Sequence, residues 1–220
     1  MMKIELHTHS KEISNCGHLS LEELIELYKN AGYDAMVLCN HFNTITANLL
    51  LAKKGITDLH KAYFDCVERA VEIGREKGLL VLGGCELRFD HNENDYLVFG
   101  MTAEMCRDWK KICAMKEEEF SAFAKENGIL FYQAHPFRNR MSVVNPEYLF
   151  GIEVQNTHPR HDSRNDIAKM WAEKYNLHKI AGSDCHQIQD VGTSAIYTDY
   201  EVRNMDDLVH VLRNDLYEIG

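Results

Sequence analysis

Short apolar runs alternate along the chain with stretches whose apolar residues recur at helical spacing. The apolar runs predict strands at 2–6, 34–40, 79–86, 96–99, 129–134, 152–156 and 178–182, with a further strand at 194–197. Helical spacing predicts a helix that begins after Ser20 and others at 58–77, 163–175 and 204–213. It also predicts a helical stretch at 102–127, in one piece or two. Strands that alternate with helices are typical of an α/β domain.

Local signals at the helix ends support this pattern. Ser20 precedes a helical segment, and Glu23 occupies the third helical position, as in a capping box. Gly78 follows the longest helical stretch and is well suited to end it. Residues 44–56 are weakly patterned, and we expect a short helix and a loop there.

Most of the predicted strands end in a histidine or an acidic residue. The first strand runs into His7 and His9, whose side chains project to the same face of an extended chain and can reach one ion together. The carboxyl ends of parallel strands joined by helices meet at one face. We therefore expect seven side chains to converge there: His7, His9, His41, Glu86, His135, Asp184 and His186.

Composition narrows the classes of protein that fit. A chain of 220 residues with 45% hydrophobic residues suits one globular domain, which we place over 1–220. The net charge of −10 and the lack of a Lys or Arg run argue against an extended nucleic-acid surface. No apolar stretch has the length of a signal peptide or a membrane helix, so we expect a cytoplasmic protein whose seven cysteines are reduced. Composition does not indicate the oligomeric state.

Five short motifs form a specific set: His7-Thr8-His9-Ser10, Asn40-His41, Gly84-Cys85-Glu86, Ala134-His135-Pro136 and Gly182-Ser183-Asp184-Cys185-His186. In order and spacing they resemble the polymerase and histidinol phosphatase (PHP) family over nearly the whole chain. The resemblance implies a distorted seven-stranded (β/α) barrel, up to three metal ions and phosphoester hydrolysis. It also implies three ion positions, held by His7, His9, Glu86 and Asp184, by Glu86 and His135, and by His41 and His186.

Two positions depart from the family pattern. Where many members have Asp or His after the first motif, residues 14–18 read Ser-Asn-Cys-Gly-His, so the remaining ligand of the third ion is either Cys16 or His18. Cysteine there would favour zinc, because a thiolate is a softer ligand than a carboxylate. A histidine that many members have after the strand at 96–99 is missing. Nearby Asp95 either substitutes for it or, as we favour, is a turn residue at the opposite end of that strand.

A carboxylate shared by two cations provides a chemistry for this set. Glu86 in that position would help to hold a bridging water whose pKa falls toward neutrality, which supplies hydroxide for attack on phosphorus. We assign the catalytic role to Glu86, His135 and Asp184. Mixed imidazole and carboxylate ligands suit two or three divalent ions of zinc, manganese or iron.

Arginines near these motifs are candidates for binding a phosphate. Arg88 lies on the strand of the bridging carboxylate and would share its face, and Arg138 follows in the loop after a predicted ligand. Arg160 is a weaker candidate. His158 and His161 lie on either side of it, and we interpret them as ordinary loop histidines.

Three functions remain open from the sequence. The leading one is a metal-dependent phosphoesterase that hydrolyses a small phosphomonoester or a nucleotide. An amidohydrolase-like metal hydrolase would use the same hydroxide on a C–N bond, although a neutral amide does not need the arginines. The third is a metal-retaining regulatory domain without turnover, which the two departures from the family pattern motivate. We expect a small phosphorylated substrate and no membrane partner.

Overall fold

The computed structural model describes residues 1–220, which form eleven strands and seven α-helices. The strands are β1 (Met2–Thr8), β2 (Ala35–Leu38), β3 (His41–Phe42), β4 (Leu80–Gly83), β5 (Cys85–Arg88), β6 (Asp95–Phe99), β7 (Leu130–Gln133), β8 (Gly151–Asn156), β9 (His178–Gly182), β10 (Ile196–Thr198) and β11 (Glu218–Ile219). The helices are α1 (Leu21–Asn30), α2 (Thr44–Lys54), α3 (Leu59–Lys77), α4 (Trp109–Ala114), α5 (Glu117–Glu126), α6 (Asn165–Tyr175) and α7 (Met205–Arg213). The predicted mixed α/β class is confirmed.

The strands form two sheets. One has five strands in the order β11-β10-β1-β2-β4, and the other has six in the order β3-β5-β6-β7-β8-β9. Parallel pairing joins β1 to β2, β2 to β4, β7 to β8 and β8 to β9, whereas β6 is antiparallel to both of its neighbours. Pairing is divided between two sheets, so the expected single seven-stranded barrel is not observed as one continuous sheet.

The chain passes from one sheet to the other at Gly84. This residue lies between β4 and β5, and a Cβ atom there would come within 2.9 Å of Cys39 Sγ and of Val37 Cγ1. Glycine is needed because it lets the backbone approach the β2 segment this closely. At the other side of the sheets Thr8 and Cys185 form a single parallel bridge, which holds the loop after β9 beside the end of β1.

The helix ends follow the predicted signals. The Ser20 hydroxyl accepts a hydrogen bond from the Glu23 amide, and the Glu23 carboxylate accepts one from the Ser20 amide, which confirms the capping box. Gly78 ends α3 with a left-handed φ of +72°. None of the helices has the length and apolarity to cross a membrane.

The helical stretch expected over 102–127 consists of two helices, and the expectation is wrong only in its first part. Residues 103–108 form turns, and α4 begins only after Asp108, whose carboxylate accepts a hydrogen bond from the Lys111 amide. Extended backbone at Met115 then separates α4 from α5. The cap at Asp108 therefore sets the start of the first helix, which apolar spacing placed too early.

The alternation of side chains along β1 places its ionisable residues on one face. Ile4 and Leu6 are fully buried in an apolar core shared with Ile180 of β9. Glu5 and His7 project from the other face of the strand and are also fully buried. The strand therefore packs its apolar face into the core and presents its ionisable face to the site.

Candidate metal centre

Four buried side chains, which we call the inner group, lie close together at the strand ends: His7, His9, Glu86 and Asp184. The Nε2 atoms of both histidines lie 3.4 to 3.5 Å from a Glu86 carboxylate oxygen and from Asp184 Oδ1. Four ligand atoms arranged as a tetrahedron about 2.1 Å from a cation are separated by about 3.4 Å. The spacing of the inner group therefore fits one divalent ion.

Two strands and one loop position the inner group. His7 lies in β1 and His9 directly after it, so alternation turns both to the same side. Glu86 is the second residue of β5, just past the crossing between the sheets. Asp184 follows β9 with a left-handed φ of +53°, a conformation that aspartate tolerates better than most residues.

Glu86 also contacts two imidazoles outside the inner group. Its Oε1 lies 3.1 Å from Nε2 of His135, and its Oε2 lies 2.7 Å from Nδ1 of His41. Together with the two histidines after β1, these rings surround the carboxylate on several sides. Glu86 therefore has the surroundings expected of a carboxylate that bridges two cations.

Two ligand atoms in this region are buried without a hydrogen-bond partner. They are the Nε2 atoms of His7 and His9, which both face Glu86 and Asp184. Leaving a buried polar atom unpaired costs about 1–3 kcal/mol, so such atoms are rare in folded proteins. Converging imidazole and carboxylate lone pairs are the ligands of divalent transition metals, and the residues present therefore fit a metal centre.

Both carboxylates of the inner group are ionised at neutral pH. Burial opposes the ionisation of Glu86, but His41 and His7 hold its pKa well below the ordinary value. Burial also opposes the ionisation of Asp184, and His7 and His9 hold its pKa well below the ordinary value. The two negative charges favour a bound cation.

A second cluster, which we call the outer group, consists of Cys16, His41 and His186. Cys16 Sγ lies 3.1 Å from Nε2 of each histidine. Burial raises the pKa of the Cys16 thiol, but hydrogen bonds with His186 and His41 outweigh it and lower the pKa to about 6. His18, the other candidate ligand, is exposed in the cavity wall, and its amide donates to the His186 carbonyl. Of the two candidates, the structure brings only Cys16 into the cluster.

Sequence reasoning misses Glu153, a fully buried residue of β8. Its Oε1 lies 2.9 Å from Nδ1 of His7, and its Oε2 accepts hydrogen bonds of 2.9 Å from the His135 amide and from Asn156 Nδ2. A carboxylate in this place keeps the proton of His7 on Nδ1 and leaves Nε2 free to bind a cation. The available signal is a charged residue in the middle of an apolar strand.

Glu5 supports the same region from within the protein. Its Oε1 accepts hydrogen bonds of 2.9 Å from the amides of His7 and Ser183, and its Oε2 accepts one of 3.2 Å from the Tyr28 hydroxyl. Burial raises the pKa of Glu5 to about 7, although hydrogen bonds from Ser183 and His7 oppose the rise. A titrating group therefore ties β1 to the loop that contains Asp184.

Arg88 lies in the cavity wall but already has an anionic partner. Its Nε and Nη2 donate to the two oxygens of Asp95 at 2.7 and 2.6 Å. The favoured interpretation of Asp95 as a turn residue is wrong, and its position agrees with the alternative that it lies at the site. It is the first residue of β6, which is antiparallel to β5, so it pairs with Arg88 and lies near His41 and Glu86.

Arg138 and Arg160 come from loops over the site. Arg138 Nη2 donates to Asp184 Oδ2 at 2.8 Å and to Asn156 Oδ1 at 2.9 Å, while Arg138 Nε is buried without a partner. Arg160 donates to the two oxygens of Asp190 at 2.8 and 2.6 Å. Arg138 therefore contacts the inner group directly, and Arg160 does not.

The inner and outer groups open into a cavity of about 610 Å³ with polar walls. Only two of its 18 lining residues are hydrophobic, so the walls suit a charged molecule. The basic side chains in the walls are Arg88, Arg138, Arg140, Arg160, His158 and His161. The two loop histidines that we expected to be ordinary therefore line the site, and a ring nitrogen of His158 lies within 4.8 Å of ligand atoms of Asp184 and His186.

Comparison with known proteins gives one family match and several similar structures. Residues 162–215 match the family model PHP_C, described as PHP-associated. No curated protein sequence matches the chain significantly.

The similar structures have the same fold at low sequence identity. A two-domain protein of Bacteroides vulgatus that contains a predicted PHP-like metal-dependent phosphoesterase matches with a TM-score of 0.69 and 18% identity over 100% of this chain and 64% of that one. The lesion-specific endonuclease PfuEndoQ of Pyrococcus furiosus matches with a TM-score of 0.62 and 16% identity over 99% and 57% of the two chains. An amidohydrolase of Chromobacterium violaceum matches with a TM-score of 0.56 and 14% identity over 95% and 96%. The chain thus spans less than two thirds of the first two proteins.

Proposed function

Since the PHP-associated segment and the shared fold support assignment of this chain to the PHP family, we propose that it is a metal-dependent phosphoesterase. The observation that carries the proposal is the Glu86 carboxylate, which is buried among histidine rings at a cavity walled by arginines. The histidines and carboxylates account for cation binding, and the arginines account for an anionic substrate.

The ligand sets support two or three divalent ions of zinc, manganese or iron. The inner group would hold one, Glu86 and His135 would share a second, and the outer group would hold a third. When bound, such ions polarise a phosphoryl oxygen and lower the pKa of a coordinated water. His7 is positioned for this role by Glu153, which fixes its tautomer.

Among the arginines, Arg138 is the best candidate to bind the phosphate. One of its nitrogens donates to Asp184, but its buried Nε has no hydrogen-bond partner and could donate to a phosphate oxygen. Arg88 and Arg160 are each held by a carboxylate in a bidentate pair, so we assign them the lesser role of adding positive charge to the cavity walls. Glu86, His135 and Asp184 remain the proposed catalytic residues.

A small phosphomonoester or a nucleotide is the proposed substrate. The cavity volume of about 610 Å³ lies in the range that encloses small molecules. The net charge of −10 disfavours a long contact with duplex DNA. Because PfuEndoQ of the same fold is a lesion-specific endonuclease, a DNA oligonucleotide belongs in the test as a competing substrate.

The test is a substrate panel with the full chain loaded with manganese or zinc. We expect phosphate release from one or more phosphomonoesters or nucleotides, dependent on metal and absent in Glu86→Ala. Cleavage of an oligonucleotide containing an abasic site, without phosphomonoester hydrolysis, would indicate a nuclease. Hydrolysis of amides alone would indicate an amidohydrolase-like enzyme, and bound metal without any turnover would indicate a regulatory domain.

A further inference from the structure

We infer that the outer group is a thiophilic cation position, in which Cys16 selects zinc over manganese and makes the metal centre chemically mixed. This inference deepens the proposed function and rests on it for the presence of metal. The outer group contains a sulfur ligand, whereas the inner group has only nitrogen and oxygen ligands.

The tautomer of His186 is fixed by the backbone. Its Nδ1 lies 2.7 Å from the Asp184 carbonyl oxygen, which can only accept a hydrogen bond. Nδ1 of His186 therefore bears the proton, and its Nε2 presents a lone pair to Cys16 Sγ at 3.1 Å. A histidine held in this way by a carbonyl is the usual arrangement of a metal ligand.

His41 also directs its Nε2 atom toward Cys16. Its Nδ1 lies 2.7 Å from Oε2 of Glu86, an ionised carboxylate that favours a proton on that nitrogen. Its Nε2 lone pair then faces Cys16 Sγ, also at 3.1 Å. A thiol has one hydrogen and cannot satisfy two acceptors at once. One cation among the thiolate and the two lone pairs satisfies all three.

The distances leave room for such an ion after a small adjustment. With a metal–sulfur bond of about 2.3 Å and a metal–nitrogen bond of about 2.1 Å, sulfur and nitrogen in a tetrahedral site lie about 3.6 Å apart. Each pair in the outer group would therefore open by roughly half an ångström. A third imidazole borders the outer group, because the His9 ring is centred 4.6 Å from that of His41 and 4.3 Å from that of His186, while its Nε2 faces Glu86 and Asp184 of the inner group.

The loop before α1 holds Cys16 in this place. The Ser14 hydroxyl accepts a hydrogen bond from the His41 amide and donates one to Asn40. A Cβ atom at Gly17 would lie 2.8 Å from the Ser10 backbone, so glycine is required for the chain to turn this tightly after Cys16. The same turn leads His18 away from the cluster.

The chemical consequence is a difference in preference between the two groups. Sites of nitrogen and oxygen ligands already bind zinc more tightly than manganese, and a soft thiolate strengthens that preference. The outer group should therefore be more selective for zinc than the inner group. With manganese in excess over zinc, the outer group should keep zinc while the inner group exchanges to manganese, so that the centre contains two kinds of metal.

The test uses the full chain, stripped with a chelator and reloaded. With Co²⁺ the parent protein should show a thiolate-to-cobalt charge-transfer band, which does not depend on catalysis. Cys16→Ser should lose the band and one equivalent of zinc in a zinc–manganese competition read by elemental analysis. Cys16→Asp should also lose the band but keep the equivalent, with a higher ratio of manganese to zinc than the parent protein when manganese is in excess, because a carboxylate replaces the thiolate.

Two variants serve as matched controls. Cys66→Ser removes a buried thiol that is outside the outer group, and His18→Ala removes the neighbouring cavity histidine, so both should keep the band. A band that persists in Cys16→Ser, an unchanged zinc preference in that variant, or a band lost in His18→Ala would overturn the inference. If no phosphoester is hydrolysed but the spectral and competition results hold, the proposed function fails and the inference stands. Circular dichroism of both Cys16 variants shows if either is misfolded. If Cys16→Ser is unfolded, the band and the metal content of Cys16→Asp decide the inference.

Discussion

The inner and outer groups share a cavity but are built in different ways. The inner histidines and Glu86 come from β1 and β5, are almost fully buried, and are supported by further buried carboxylates at Glu5 and Glu153. The outer group takes its sulfur from an exposed turn. Strand-borne ligands are fixed by the sheets themselves, whereas a loop-borne ligand can be exchanged without disturbing the core.

The inner group is therefore the constrained part of the site, and the outer group is the part that can be altered. A change in the inner group must disturb buried charges and the strands that bear them, so its effects should be large. A change in the outer group or the arginine loops should alter metal choice or substrate binding while the fold persists.

Replacing Glu86 should have the largest effect. Glu86→Ala removes the carboxylate that contacts both groups, so we expect loss of bound metal and a fall in kcat on the order of a thousand-fold or more. Elemental analysis and steady-state kinetics on the same preparation measure both. A variant that keeps its metals and its activity would show that no bridging carboxylate is used.

Replacing Glu153 should weaken only the inner group. Glu153→Ala removes the partner of His7 Nδ1, and loss of such a partner lowers metal affinity by about 10–100-fold. Glu153→Gln should recover part of the loss, because its amide oxygen still accepts from Nδ1. Metal titration with a competing chelator measures the change, and Gln155→Ala on the same strand is the matched control. Equal weakening of the outer group would contradict the separation drawn here.

Replacing Arg138 should affect substrate more than metal. Arg138→Ala removes a charge-assisted hydrogen bond to the phosphate worth about 1.5–3 kcal/mol, so kcat/KM should fall on the order of ten- to a hundred-fold. Because Arg138 also holds Asp184, we expect a smaller loss of inner-group metal, which sequence alone did not indicate. Arg160→Ala is the comparison: Arg160 adds charge to the cavity walls but contacts Asp190 and not the inner group, so its loss should lower kcat/KM less and leave the inner-group metal in place. Undiminished kcat/KM in Arg138→Ala would exclude it as a phosphate ligand.

The smallest effect is a pH dependence of stability set by Glu5. The pKa of Glu5 is about 7 in the folded protein and about 4.5 ordinarily, so the folded state binds more protons between these values. Its contribution to the free energy of unfolding is therefore full below about pH 4.5 and is lost as pH rises through 7. In metal-free protein Glu5→Gln should flatten this slope by about 1.4 kcal/mol per pH unit between the two pKa values, measured by urea unfolding at several pH values. An unchanged slope would show that other groups cause it.

The sequence predicts local features of the fold better than the pairing of its strands. Caps at Ser20 and Gly78 depend on residues a few positions apart, and the structure confirms both. The division into two sheets depends on which strands pair, and these pairings join residues far apart in the chain. The hydrophobic periodicity of a segment predicts which of its side chains are buried, but it does not predict which strands pair.

The candidate site shows the same limit. Residues at strand ends can be found because alternation and parallel connections bring them to one face, and the structure brings His7, His9, Glu86 and Asp184 together. Partners such as Glu153 for His7 cannot be found this way, because they come from a strand far along the chain. Asp95 was interpreted as a turn residue because it follows a polar run, whereas its pairing with Arg88 across the hairpin extends β6 to include it.

The left-handed backbone at Asp184 determines which variant is best suited to capturing an enzyme–substrate complex. At a φ of +53°, asparagine is tolerated nearly as well as aspartate, whereas longer or branched side chains are disfavoured by roughly 1–2 kcal/mol. Asp184→Asn would remove a negative charge while the loop keeps its path. Asp184→Glu keeps the charge and looks the milder exchange, yet it would strain the backbone and shift the carboxylate. For co-crystallisation with an uncleaved substrate, the asparagine variant is therefore the one to make.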